Sequence, residues 1–512
     1  MKLTQISTAI LSFGLATQVF AAPSAKQDPL ANVPFANKTA QGYSLDFDSK
    51  AFKPAQTNLN GKTVKYRAVE KIVYVKHPVE PDYQTINFYV PEEYFHNGRV
   101  NGFTAETAPI FLPNSVGGYM PAKATTASEK GMDGKPSTIV TALSKGYVVA
   151  SVGARGRTLK QGDTYTGKAP AVIVDLKAAV RYLHANDAKM PGDANKIISN
   201  GTSAGGAMSA LLAASGDNAD YQKYLKEAGA ANASDTIFAA SVYCPITNLE
   251  HADMAYEWEF NGLNDYSRMD MSKLNARTFN DRSESMPTIE GTLSQEQIAL
   301  SDTLKAQFPA YLNSLNLKDE HGNALTLDKD GNGSFRDFVK SYLIASANKA
   351  VSTGTDLSDI SWVTLKDGKV IDIDWHGYIH AKKRMKSPPA FDALDLSSGE
   401  NDEFGSAHLQ ARHFTPYSLE HSTVKGSKIA DVDIIKMLNA MNYVDNPKAA
   451  QHWRIRVGTS DYDTSHAISA MLSASLRMNG REVDYALPWG VPHSGDYDLD
   501  ELFQWTDSIS KK

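Results

Sequence analysis

Residues 196–214 carry the feature that most restricts the fold. Lys196-Ile197-Ile198-Ser199 is a short apolar run of strand type, and Ala207-Met208-Ser209-Ala210-Leu211-Leu212-Ala213-Ala214 reads as a helix. Between them stands Gly201-Thr202-Ser203-Ala204-Gly205-Gly206. A buried strand that turns this sharply into a helix brings two backbones close together, and only glycine leaves room for that. The pattern G-x-S-x-G places Ser203 on a strained corner with its hydroxyl outward, a nucleophile elbow. Ordinary glycine-rich turns also produce the pattern, so the rest of the chain has to supply the partners that such a serine needs.

The flanking segments set the fold class. Lys71-Ile72-Val73-Tyr74-Val75 and Ile86-Asn87-Phe88-Tyr89-Val90 alternate in part, as half-exposed antiparallel strands do. Pro109-Ile110-Phe111-Leu112 is a third run, and Tyr147 to Val152 is nearly continuous, as a strand buried on both faces would be. Ala171 to Asn186 repeats apolar residues at Val172, Leu176, Ala179, Val180 and Leu183, a helical spacing. The elbow helix and a strand over Ile237 to Tyr243 follow. Strands alternating with helices in this way imply parallel pairing through right-handed crossovers, so the class is α/β with a mixed sheet.

From about residue 250 the texture changes. Tyr256-Glu257-Trp258-Glu259-Phe260 leads into helical runs near 301–315 and 335–351, with few β-type runs between them. Residues 250–435 are therefore expected to form an inserted, mainly helical cap. The alternation resumes with Trp453-Arg454-Ile455-Arg456-Val457, a helix over Ser465 to Met478, a strand at Val483 to Leu487 and a last helix near Leu499 to Ile509. The sheet-forming unit is thus split into 22–249 and 436–512, with 22 to about 61 read as an irregular arm.

Chain length and charge narrow the partners. At 512 residues the chain is longer than one core usually supports, which agrees with a large insertion. A net charge of −6 and a pI near 6.1 give no electrostatic reason to expect nucleic acid. Residues 1–21 have Lys2, an apolar stretch from Ile6 to Phe20 and a terminal Val19-Phe20-Ala21, the layout of a cleaved signal peptide. That predicts export to the periplasm or beyond. No later apolar run is long enough to span a membrane, and no cysteine follows the cut to carry a lipid anchor. Cys244 is the single cysteine, so no intramolecular disulfide is possible, and it reads as a small buried hydrophobe.

If Ser203 is a nucleophile, it needs a base and a carboxylate that holds the base in one tautomer. In this class of fold they follow in the order serine, acid, histidine, each on a loop after a strand. Gly458-Thr459-Ser460-Asp461-Tyr462-Asp463 follows the 453–457 strand and Gly490-Val491-Pro492-His493-Ser494-Gly495 follows the 483–487 strand. Asp461 and His493 are the expected partners. Asp463 competes with Asp461, and either could instead cap the next helix. The oxyanion needs two peptide N–H groups, one from Ala204 and one from the loop Asn114-Ser115-Val116-Gly117-Gly118-Tyr119. Gly117 is the first choice there and Gly118 the second. A histidine base near its usual pKa of about 6.5 would cut activity off below pH ~6. No cofactor or metal is expected. Asp328-Lys329-Asp330-Gly331-Asn332-Gly333 starts like a calcium loop, but its twelfth position is Val339, so a tight Asx turn is the better reading.

Taken together, these blocks resemble the bacterial tannases, serine esterases of α/β-hydrolase fold with a large cap. The resemblance rests on 201–206, on the long run from Tyr243-Cys244-Pro245-Ile246 to Tyr256-Glu257-Trp258, on Pro388-Pro389-Ala390-Phe391-Asp392 through Gly399-Glu400-Asn401, and on 458–463 with His493. It implies hydrolysis of galloyl esters, with Ser203, Asp461 and His493 as triad. It also implies that Lys386, Glu400 and Asp463 contact the three phenolic hydroxyls of the galloyl ring. The partner would then be a small phenolic ester. The fungal branch has cysteines next to its catalytic serine and histidine, where this chain has Thr202 and Pro492, so the resemblance is to the bacterial branch. A feruloyl or other phenolic-acid esterase on the same scaffold is the nearest alternative, and a non-catalytic binding module a remote one.

Overall fold

Parallel strands buried at every position need cover on both faces, and three of them set the layout. Val148–Val152, Ala239–Tyr243 and His452–Arg456 are buried throughout. In the computed structural model, which describes residues 28–131, 134–270 and 288–511, they belong to a nine-stranded sheet. The leader-like residues 1–21 lie outside the described residues.

In chain order the strands are β1 (Lys53–Leu59), β2 (Lys62–Val73), β3 (Thr85–Pro91), β4 (Pro109–Pro113), β5 (Val148–Val152), β6 (Asp193–Thr202), β7 (Ala239–Tyr243), β8 (His452–Arg456) and β9 (Glu482–Ala486). Their spatial order is β9-β8-β7-β6-β4-β5-β3-β2-β1. The pairs from β9 to β5 are all parallel. The pairs β5–β3, β3–β2 and β2–β1 are antiparallel. The sheet is mixed, as the sequence pattern predicts.

The helices used below are α1 (Thr138–Ser144), α2 (Ala171–Ala185), α3 (Ala204–Ala214), α4 (Leu249–Phe260), α5 (Gln295–Ser314), α6 (Ser334–Ser352), α7 (Trp375–Lys382), α8 (Gly399–Glu403), α9 (His466–Met478) and α10 (Leu499–Ser510). α2 packs with α3, while α1 packs with the C-terminal α10. Tyr147, at the head of β5, donates a hydrogen bond to Asp507 of α10, and Phe111 of β4 packs against Phe503 with the rings tilted at 54°.

One expectation fails at the N-terminal edge. Lys53–Leu59, inside the segment read as an irregular arm, pairs along its whole length with β2. Its residues are mostly exposed and include Pro54, so no apolar alternation marks it. An edge strand can carry such residues because one of its sides has no ladder to maintain.

Between β7 and β8, neighbours in space, the chain makes its long excursion. This stretch holds α4 to α8 and two small antiparallel hairpins, Asp265–Met269 with Thr288–Thr292 and Val363–Lys366 with Lys369–Ile373. Helix α5 starts with a capping box, the Ser294 hydroxyl and Gln297 side chain each bonding the other's backbone. The parallel register aligns Thr202 with Tyr243, Tyr243 with Arg456 and Arg456 with Ala486. Asn200 likewise pairs with Pro113. The loops after β4, β6, β7, β8 and β9 therefore open at one edge of the sheet, where α/β folds of this kind place their sites.

Candidate active site

Ser203 sits at that edge with φ 58° and ψ −123°, a backbone conformation that costs energy for any residue with a side chain. The glycines around it explain how the corner is tolerated. A Cβ on Gly205 would lie 2.5 Å from the Val116 carbonyl oxygen and 2.6 Å from Asn114 Oδ1. One on Gly206 would lie 2.6 Å from the Tyr243 carbonyl oxygen. The Ser203 N–H donates to that same Tyr243 oxygen at 3.0 Å. Ser203 stands at the N-cap of α3, where a serine hydroxyl commonly accepts a bond from the helix, yet it makes no such bond. The half-buried hydroxyl is left free for another role.

The acid and histidine loops are zipped together. Ser460 N–H donates to the Val491 carbonyl at 3.0 Å, and Gly490 N–H donates to Thr459 Oγ1 at 2.7 Å. The result is a 2.8 Å bond between His493 Nδ1 and Asp461 Oδ2, with the Asp461 side chain fully buried. Gly495 presses against the side chain of Thr202, which brings the histidine loop to the elbow. Of the two competing carboxylates, Asp461 faces the histidine, and its other oxygen accepts the Asp463 N–H at 2.9 Å. Asp463 instead pairs with Lys386, Nζ to Oδ1 3.0 Å.

Cys244 is buried as expected, but it also forms part of the site wall. Its Sγ lies 3.9 Å from His493 Nε2 and donates to the Ser494 carbonyl at 3.5 Å. Burial raises the thiol pKa, only partly offset by His493 and the Ser203 backbone, so the sulfur stays protonated. Among the described residues, the possible metal-ligating atoms of Cys244, Asp461 and His493 lie within 4.8 Å of one another. Two of those three are the hydrogen-bonded histidine–aspartate pair.

Electrostatics correct one expectation. Burial pulls the His493 imidazole down, but Asp461, reinforced by Cys244 and Asp463, outweighs it and holds the group well above the usual 6.5. A base must be neutral to accept a proton, so activity would be lost as pH falls through this raised value. For a reaction in which His493 is the base, the acid limb of kcat/KM, followed from pH 5 to 9, is expected with its midpoint above 6.5 rather than near 6. A midpoint at or below 6.5 would contradict the Asp461–His493 coupling.

The residues implied for ring binding come together from distant parts of the chain. Lys386 Nζ also sits 3.9 Å from the centre of the Phe391 ring. Glu400, on α8, is raised by burial, an effect that Lys386 opposes and Asp463 reinforces. For Asp463, burial is outweighed by Lys386 and then His493, so it stays ionised below the ordinary carboxylate range. Asp463, coupled to His493 and paired with Lys386, thus links the histidine to the charges of Lys386 and Glu400.

The loop expected to donate to the oxyanion approaches the elbow from β4. Asn114 Nδ2 donates to Ser209 Oγ of α3 at 3.0 Å, and the Val116 carbonyl abuts Gly205. Gly117 follows, half-exposed, and its carbonyl accepts the Met120 N–H at 2.9 Å. Ala204 is the first residue of α3, where peptide N–H groups have no partner within the helix. The Asp328 segment is a turn: Oδ1 accepts the N–H groups of Asp330 and Asn332 at 2.9 Å each, and Val339 is buried in α6.

Comparison with known proteins follows from this geometry. A family model described as BD-FAE matches residues 117–286. A solved tannase from Fusobacterium nucleatum is 52% identical, covers 91% of this chain and 100% of its own, and superposes with a TM-score of 0.88. The chain belongs to the tannase family. The tannin acyl hydrolase of Lactobacillus plantarum is 45% identical over 91% of this chain and 99% of its own, TM-score 0.85. A tannin acyl hydrolase solved in complex with ethyl gallate matches at 45% identity over the same shares, TM-score 0.84. No curated protein gives a significant match. Tannases are carboxylic ester hydrolases, and this chain is one.

The supports of this tannase-family site were not legible from motifs. Helix α4 carries three of them. Tyr256 Oη accepts the Met385 and Lys386 N–H groups at 3.1 and 3.0 Å and donates to the Tyr462 carbonyl at 2.9 Å. Glu257 binds the fully buried Arg384, Nη1 to Oε2 2.9 Å. Glu259 binds Lys382 at 2.5 Å and His466 at 3.0 Å, and His466 Nε2 reaches the Gly458 carbonyl at 3.1 Å. The available signal was two glutamates, Glu257 and Glu259, alternating with Tyr256, Trp258 and Phe260, since carboxylates are rarely buried unless paired.

Proposed function

We propose that this chain hydrolyses galloyl esters, such as those of hydrolysable tannins, through an acyl-enzyme on Ser203. One observation carries the reading: Asp463, which pairs with Lys386, lies on the same short loop as Asp461, two residues from the carboxylate that holds His493. Ring recognition and proton transfer are thereby built into one segment. The relative crystallised with ethyl gallate, and another crystallised with 3,4-dihydroxybenzoate, support a phenolic acyl group.

In this mechanism His493 Nε2 takes the proton from Ser203 Oγ as the oxygen bonds to the ester carbonyl carbon. The N–H groups of Ala204 and Gly117 receive the oxyanion. The tetrahedral intermediate collapses by breaking the bond to the alcohol oxygen, which leaves with the proton from His493. Water then repeats the sequence on the galloyl-serine, and gallate departs. Glu400 and Asp463 accept hydrogen bonds from the ring hydroxyls while Lys386 donates to one of their oxygens. Residues 250–435 act as the cap that supplies Lys386 and Glu400. The leader-like residues 1–21 place the enzyme in the periplasm or outside the cell. Among the described residues no helix is long and apolar enough to cross a membrane.

The test compares methyl gallate with methyl ferulate before and after Glu400→Ala. Loss of a hydrogen bond to a charged acceptor is expected to lower kcat/KM on methyl gallate by about 10- to 100-fold. Methyl ferulate, which lacks the trihydroxyl pattern, should change far less. Equal losses on both esters would favour a general phenolic-acid esterase.

A further inference from the structure

We propose that Arg157 is a positioning residue that ties the oxyanion turn to the helix carrying Glu400. It holds the turn that bears Gly117 and the helix that bears Glu400 in one fixed relation. The inference rests on the galloyl-ester reading above and extends it to a residue outside the sequence motifs.

Arg157 joins three things. Its Nε donates to the Gly118 carbonyl at 2.8 Å, and its backbone N–H donates to the Tyr119 carbonyl at 2.9 Å. Its Nη1 donates to Asp402 Oδ2, on α8 two residues from Glu400. The guanidinium also lies against Gly399, where a Cβ would sit 3.4 Å from Nη2. Its side chain is only 11% exposed, so both bonds are made largely out of water. Asp402 is itself anchored, since Lys168 Nζ pairs with its other carboxylate oxygen and donates to its backbone carbonyl at 2.8 Å.

The oxyanion turn needs such a hold. Gly118 and Tyr119 have φ values of +53° and +56°, two consecutive left-handed residues of which the second is not glycine. That conformation is disfavoured in isolation. Rotation of the Gly118 peptide would re-aim the turn that presents Gly117, and the Arg157 bond to the Gly118 carbonyl opposes that rotation. Because the same guanidinium grips Asp402, movement of α8 is passed to the turn. The fork of an arginine can hold both acceptors at once, whereas a lysine ammonium is a single point charge on a longer, flexible stem.

The experiment measures kcat, KM and Tm for the wild type, Arg157→Met and Arg157→Lys, on methyl gallate and on phenyl acetate, which has the ester but no ring hydroxyls on its acyl side. Removing an oxyanion donor outright costs about 10^2- to 10^3-fold in kcat, so misplacing one is expected to cost about 30-fold on both esters in Arg157→Met. KM for methyl gallate should rise in addition. Arg157→Lys should keep Tm within about 2 °C of wild type while kcat stays about 10-fold down. Recovery of kcat together with Tm in Arg157→Lys would reduce the residue to a structural ion pair and overturn the proposal, as would a kcat change under 2-fold in Arg157→Met. If the wild type hydrolyses phenyl acetate but not methyl gallate, the galloyl reading fails. The Arg157 proposal is then judged on kcat for phenyl acetate alone.

Discussion

Ser203→Ala is expected to lower kcat on methyl gallate by about 10^4- to 10^6-fold while leaving a folded protein. The size follows from losing the oxygen that, in the proposed mechanism, carries the acyl group between the two half-reactions. The retained fold follows from the local structure. The serine hydroxyl does not cap α3, so its removal leaves no helix donor newly unpaired. Alanine has the same Cβ and meets the same backbone strain at φ 58°. The neighbouring Cys244 is a poor substitute nucleophile, because its thiol is buried and held protonated. Progress curves on methyl gallate, together with labelling by a fluorophosphonate probe, check the result. Labelling that survives the substitution, or activity within 100-fold of wild type, would remove Ser203 from the mechanism and revive a non-catalytic reading of the elbow.

The second large effect is at the acid. Asp461→Asn should reduce kcat by about 10^4-fold with little change in KM. Asparagine keeps the shape and can still accept the Asp463 N–H that Asp461 accepts now at 2.9 Å. What changes is the proton. The amide N–H would donate to His493 Nδ1, which selects the tautomer with its hydrogen on Nε2. That nitrogen then has no lone pair for the Ser203 proton. The substitution also removes the main influence that raises the imidazole pKa, so whatever activity remains should have its acid limb at lower pH than wild type. A variant with near-normal kcat would show that another carboxylate orients the base, and the pairing of Asp463 with Lys386 makes that residue an unsuitable substitute.

The parallel half of the sheet was readable because its strands are buried on both faces and so are apolar almost without interruption, as in Val148–Val152 and Ala239–Tyr243. The placement of Ser203, Asp461 and His493 at one sheet edge was readable for a related reason. Parallel strands end at one edge, so a serine, an aspartate and a histidine placed just after three of them lie on loops that open on the same side of the sheet. The edge strand Lys53–Leu59 was missed because its side chains face solvent. The better signal was the turn that follows, Asn60-Gly61, whose φ values of 49° and 79° suit a tight hairpin. Ring-binding residues posed a different problem. Nothing local to Lys386 distinguishes it from the basic run Lys382-Lys383-Arg384, and two of those neighbours prove to be buried ion-pair partners. Arg157 and Asp402 meet across 245 residues of chain, a separation at which spacing carries no information.

Helix α4 has a consequence for anyone transplanting this specificity into another esterase. The three side chains proposed to bind the ring are not a portable set. Lys386 and its neighbour Met385 each donate a backbone bond to Tyr256, and Arg384 just before them is held on Glu257. The aspartate loop leans on Glu259 through His466. A recipient scaffold given Lys386, Asp463 and Glu400 alone would receive charges without their foundations, and the breaking of either buried ion pair costs about 3–5 kcal/mol. The smallest transferable unit is the helix with its two ion-paired glutamates and the cations that answer them, which makes the proposed selectivity a property of a folded block rather than of a residue list.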